Sequence, residues 1–189
     1  MRPTQTPTPS RPVPSLASRN RTENFWSPAS VRQLVGEFAE TVRDRIRDAL
    51  AERRPALSWE TEHRVRRTPV DVVGTTDRLF VAVELEWRRA DPVNNTAKLF
   101  YYCSEGDLAE YDEITVVQAF TGYYDLASGG VSSKRETAEF VGRVAADAVD
   151  HVAFYPVTVA LDPPKRGGEW PDDWQAVADE TAREIAELV

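Results

Sequence analysis

Three carboxylates near the middle of the chain, Asp71, Glu84 and Glu86, have the types and spacing for chemistry. In Val81-Ala82-Val83-Glu84-Leu85-Glu86-Trp87 the apolar residues fall at 81, 83, 85 and 87, the alternation of a β-strand. Side chains alternate across a strand, so Glu84 and Glu86 share one face, about 7 Å apart, with the apolar set behind them. Carboxylates so placed repel unless a positive partner sits between them or water surrounds them. A divalent metal is one such partner.

The stretch before it supplies the third carboxylate. Pro69-Val70-Asp71-Val72-Val73 also alternates, and Thr75 to Arg78 is short and polar, as in a hairpin turn. A turn centred between Asp77 and Arg78 pairs residues whose numbers sum to 155, which sets Asp71 opposite Glu84. Directly opposed Cβ atoms lie about 5 Å apart, so this register predicts three carboxylates on one patch. A cation or raised pKa values must then hold them together.

The surrounding elements follow from spacing and punctuation. A helix starts at Ser27-Pro28 or Ser30 and runs to about Arg53, with Phe38, Val42, Ile46, Ala49 and Leu50 in its apolar stripe and Pro55 ending it. Glu37 and Glu40 flank that stripe and read as a solvated face. Leu57 to Arg66 is a first strand with Trp59, Thr61, His63 and Val65 on one face; His63 reads as a half-buried strand residue without a partner. Asp91-Pro92 reads as N-cap and first residue of a helix that ends near Glu105-Gly106. Asn94, Lys98 and Tyr102 share one face of it, and Leu99, Phe100 and Cys103 supply the core side.

Glu113 to Phe120 is a continuous apolar strand, with Gln118 near its end, of the kind covered on both faces. Gly122 to Gly130 is a loop. Ser133 and Glu136 form a capping box for a helix with Phe140, Val141, Val144, Ala145 and Ala148 as its apolar set. A strand from Val152 to Leu161 and a helix after Pro171 complete the order. Residues 25–189 are therefore expected to form one α/β domain, a mixed central sheet flanked by helices. Met1 to about Asn24, rich in Pro, Thr and Arg, reads as a disordered tail.

Composition excludes several classes. At 189 residues and 41% apolar the chain is long enough for a real core. No apolar run approaches the roughly 20 residues that span a bilayer, and no apolar block follows Arg2, so no membrane or secretory role is expected and the cytoplasm is the predicted compartment. One cysteine rules out an internal disulfide, and with two separated histidines it argues against structural zinc. The net charge of −8 does not advertise nucleic-acid binding, yet Arg64, Arg66, Arg67, Arg78, Arg88 and Arg89 gather around the carboxylates.

Helix, a three-stranded meander with carboxylates on its second and third strands, then helix and strand: this order resembles the PD-(D/E)xK nuclease superfamily, the restriction-endonuclease-like fold. Pro69-Val70-Asp71 and Glu84-Leu85-Glu86 carry the resemblance, which covers about Val31 to Phe120. Asp71 matches the motif's aspartate and Glu84 its second acid. Glu86 stands where lysine is usual, as in some type II restriction endonucleases. The resemblance implies a metal-dependent endonuclease acting on DNA. Asp71, Glu84 and Glu86 would hold Mg²⁺ or Mn²⁺, which activates the attacking water and neutralises charge on the phosphate. Lys98 is implied as a migrated catalytic lysine, Arg88 and Asn94 as phosphate contacts, and a homodimer as the form that cuts both strands. The competing expectations are a non-catalytic scaffold or partner-binding protein of the same fold, and a hydrolase of small phosphorylated molecules.

Overall fold

A computed structural model describes residues 28–165 and 168–189, with side chains from residue 37 onward. The expected tail at 1–24 lies outside the described residues. In chain order the elements are α1 (Pro28–Arg53), β1 (Ser58–Val65), β2 (Thr68–Thr75), β3 (Leu79–Glu86), α2 (Val93–Ser104), β4 (Glu113–Thr121), α3 (Ser133–Ala148), β5 (Val152–Val159) and α4 (Trp174–Leu188), with a single 3₁₀ turn at Gly122–Tyr124. The expected α/β class, a mixed sheet flanked by helices, is what the chain forms. Its five strands lie in the order β1-β2-β3-β4-β5, antiparallel through β3 and parallel from β3 to β5.

Two apolar layers sandwich the sheet. On one face Phe38, Val42, Ile46 and Leu50 of α1 join Ala178, Ala182 and Ile185 of α4 over Val81, Val83, Leu85, Val117 and Val157. Leu99, Phe100 and Cys103 of α2 cover Val73, Phe80, Ala82 and Val116 on the other. The alternation of β3 is therefore as read: 81, 83 and 85 face α1 and α4. Polar pairs fasten α1 to α4. Arg45 forks onto Asp179 at 2.7 and 2.6 Å, and Arg54 Nη1 donates to Ala186 O at 3.2 Å.

The hairpin register holds where it was expected and then stops. Thr75 pairs with Phe80, Gly74 with Val81, Val73 with Ala82 and Val72 with Val83, all summing to 155. The ladder does not continue to Asp71 and Glu84. On its other side, β2 meets a distortion in β1, where Glu62 takes a φ of 57°.

Local details correct four sequence readings. Pro92 itself has helical angles and caps α2 without a side-chain hydrogen bond, so the Asp91 carboxylate is not an N-cap. The α3 N-cap is Ser132 rather than Ser133, again without a side-chain bond. Phe140 and Val144 are exposed, because α3 buries its small side, Ala138 and Gly142, against the sheet. Ring atoms of Phe154 fill the space that a Cβ at Gly142 would take. His63 does have a partner, Glu60, three residues back. The C-terminus of α2 is as expected: Gly106, at φ 83°, donates to Cys103 O, and Asp107 donates to Tyr102 O, closing a Schellman motif.

Candidate functional site

Where β2 and β3 part company, Asp71 fills the gap. Its Oδ2 accepts a hydrogen bond from the Leu85 N–H at 2.8 Å, so the side chain replaces a ladder partner. Glu84 and Glu86 point to the α2 side of the sheet and are fully buried. Solvation, one of the two ways to tolerate them, is thereby excluded. Glu86 Oε1 accepts from Gln118 Nε2 at 3.0 Å; the same amide also donates to Pro92 O at 2.7 Å, tying β3, β4 and the start of α2 together.

A cation stands among the three carboxylates, and it is a side chain. Arg89 places Nη2 3.6 Å from Asp71 Oδ2, Nη1 4.0 Å from Glu84 Oε2 and Nε 3.8 Å from Glu86 Oε2. Its backbone is fixed at both polar groups. The Tyr124 hydroxyl accepts from Arg89 N at 3.0 Å and donates to Arg89 O at 3.2 Å, while Thr121 Oγ1 donates to Trp87 O at 2.6 Å. The strand-to-turn segment 87–89 is thus held by the end of β4 and the 3₁₀ turn after it.

Electrostatics follow from burial. Desolvation pushes the Glu84 carboxyl well above the usual range, with the Asp71 charge adding to the rise and Arg89 opposing it. Desolvation likewise lifts Glu86 to about 7, against the Gln118 hydrogen bond and Arg89. Asp71 is raised by burial too, moderated by Arg89 and by the Leu85 N–H. Burial carries Tyr124 to about 12, so its hydroxyl keeps the proton it donates to Arg89.

Glu84 Oε1 and Oε2 and Glu86 Oε2 are buried without a hydrogen-bond partner. Orphaned carboxylate oxygens of this kind fit a hard divalent cation, which selects oxygen donors. As placed, however, no three Asp, Glu, His or Cys side chains among the described residues gather closely enough to ligate one ion, and Arg89 holds the space between them. The donor set fits; the spacing shown is that of a guanidinium complex.

A cavity of about 190 Å³ opens beside this cluster, lined by Ala39, Glu40 and Arg43 of α1 and by Asp71, Leu85, Trp87 and Arg89. Glu40, read from the sequence as a solvated face residue, is exposed as expected but stands at this cavity. Arg43 bonds Glu62 at 3.0 Å, joining α1 to the distorted part of β1.

The remaining sequence candidates lie elsewhere. Arg88 turns away: its Nη1 donates to Pro164 O at 3.0 Å and its guanidinium lies 5.0 Å over Tyr123. Asn94 and Lys98 are exposed on α2, and among the described residues Lys98 pairs with none of the three carboxylates. Asn95, one position along, is the α2 amide close enough to bear on Glu84. Sequence reasoning gave no role to Gln118, Arg89, Asn95 or Tyr124 at this site. A polar Gln within an otherwise apolar buried strand was the available signal for the first.

No family model, no curated protein and no solved structure matches this chain. No helix among the described residues is long and apolar enough to cross a membrane.

Proposed function

We propose that the chain is a metal-dependent endonuclease of the PD-(D/E)xK type, in its Glu-x-Glu variant, hydrolysing phosphodiester bonds in DNA. The observation that carries this reading is the meeting of Asp71, Glu84 and Glu86 around the one Arg89 guanidinium, with three of their oxygens unpartnered in the protein interior. Buried structural carboxylates are hydrogen-bonded; both Glu84 oxygens and Oε2 of Glu86 are not.

Asp71, Glu84 and Glu86 would hold Mg²⁺ or Mn²⁺, which acidifies water and offsets charge growing on a phosphate. Glu86 would bind the same ion or orient the attacking water through Oε2, which no hydrogen bond occupies. Gln118 keeps the other Glu86 oxygen oriented. Asp71 is aimed by the Leu85 N–H. Lys98 and Asn94, exposed on α2, are available to DNA phosphates, whereas Arg88 would first have to leave Pro164 and Tyr123; a phosphate-dominated contact weakens steeply with salt.

One observation favours a second reading, a non-catalytic protein of the same fold. Arg89 already supplies positive charge to the carboxylates, and β3 lacks a lysine. A plasmid-nicking assay with Mg²⁺ or Mn²⁺ separates the two. Cutting that is lost in Asp71→Asn and Glu84→Gln supports the nuclease. No cutting, with no cation-induced rise in melting temperature, leaves the scaffold reading.

A further inference from the structure

We propose that Arg89 is a resident counter-ion that closes the carboxylate cluster and that an incoming divalent cation displaces. The inference rests on the metal-dependent reading above and specifies how that site is regulated.

Two features of Arg89 point the same way. Its guanidinium is held by long electrostatic contacts of 3.6 to 4.0 Å, unlike the fork of Arg45 on Asp179 at 2.7 and 2.6 Å. Its backbone, by contrast, is pinned at both N–H and C=O by Tyr124. A loosely held side chain on a fixed backbone can swing without disturbing the fold.

Access argues for the same role. Glu84 and Glu86 have side chains only 1% and 0% exposed, whereas the Arg89 side chain is 37% exposed. Of the residues lining the cavity, Arg89 is the one that also pairs with both glutamates. Neither glutamate lines the cavity, so an ion entering from it reaches Asp71 and the guanidinium before the buried oxygens. The two cannot share the space, since like charges about 4 Å apart repel and a divalent ion doubles the effect. The guanidinium therefore keeps the metal-free cluster folded, and its withdrawal opens the buried oxygens.

The test is calorimetric titration of the full chain with Mn²⁺ alone at pH 7.5, with wild type, Arg89→Met, Arg89→Lys and Glu84→Gln. Arg89→Met keeps the stem and removes the charge; it is expected to bind Mn²⁺ about tenfold or more tightly than wild type, while Arg89→Lys stays near wild type. Equal affinity in wild type and Arg89→Met, or weaker binding in Arg89→Met, overturns the displacement. Binding that is absent from every variant removes the metal reading itself. Melts in EDTA test the counter-ion half without any cation. At pH 7.5 Arg89→Met is expected to melt below wild type, with Arg89→Lys restoring most of the difference. A melt unchanged in Arg89→Met overturns the counter-ion role whatever the cation does. Should Arg89→Met fail to fold, Arg89→Gln takes its place in both measurements.

Discussion

Asp71 is bonded to the backbone of Leu85, through Oδ2 at 2.8 Å, where the hairpin ladder has already ended at Val72 and Val83. A side chain has taken over a strand's hydrogen bond, which makes the aspartate both a structural acceptor and a charge. The two roles separate by substitution. Asp71→Asn keeps an acceptor for the Leu85 N–H, so its melt should stay within about 1 kcal/mol of wild type, whereas Asp71→Ala leaves a buried donor unpaired and should cost about 1–3 kcal/mol. Both should lose Mg²⁺-dependent nicking by about a hundredfold or more, since metal-ion stabilisation of the transition state is worth several kcal/mol. Nicking retained by Asp71→Asn would remove Asp71 from the metal site.

The buried glutamates set a direction for pH dependence. Glu86 titrates at about 7 in the folded protein against 4.5 unfolded. The folded state thus keeps a proton that the unfolded chain has released, so metal-free stability is highest near or below pH 4.5 as far as this group is concerned and declines as pH rises to about 7. The loss attributable to Glu86 is on the order of 3 kcal/mol, and Glu84 and Asp71 are raised in the same sense. Glu86→Gln should flatten the decline, measured as urea midpoints from pH 4.5 to 8 in EDTA. A mutant as steep as wild type would place the titration elsewhere.

Gln118 is the amide that satisfies one Glu86 oxygen and the Pro92 carbonyl together. Gln118→Leu, close in volume, strips both acceptors of their donor. Destabilisation of about 1–3 kcal/mol is expected, together with an upward move of the Glu86 titration, because the hydrogen bond favours the charged form. Carbon-13 shifts of the labelled Glu86 carboxyl against pH report the second effect directly.

Gly74 tests the fold apart from the site. A Cβ there would stand 2.6 Å from the Trp59 ring, which is itself fastened by its Nε1 to Arg54 O at 3.1 Å. Gly74→Ala should cost about 1–3 kcal/mol through displacement of that ring. Trp59 emission should change with it. An unaltered melt would mean the β1–β2 face repacks freely.

What could be read from the sequence follows the periodicities. Alternation along β3 and the polar turn at Thr75 to Arg78 carried enough to place the carboxylates together and to give the register through Val72 and Val83. The register beyond it was not legible, because the ladder is interrupted by a side chain, and pairing rules describe backbones. Helical spacing set Leu99, Phe100 and Cys103 on the core side of α2, as they are, but aligned Asn94 rather than Asn95 with the site; Asn95 is the amide that bears on Glu84. Arg89 was visible as one of six arginines around the strands, and nothing in its neighbours marked it from Arg88, which points elsewhere. The difference between them is made by Tyr124, thirty-five residues later in the chain.

The pairing of α1 with α4 has a consequence for biosynthesis. Arg45 with Asp179, and Arg54 with Ala186, join helices from opposite ends of the described chain. A nascent chain exposes Phe38, Val42 and Ile46, and one side of the sheet, until Trp174 to Leu188 has left the ribosome. Folding on that side waits until α4 has been made, and the growing polypeptide passes through an interval with this apolar face uncovered, which mutations that weaken α4 would prolong.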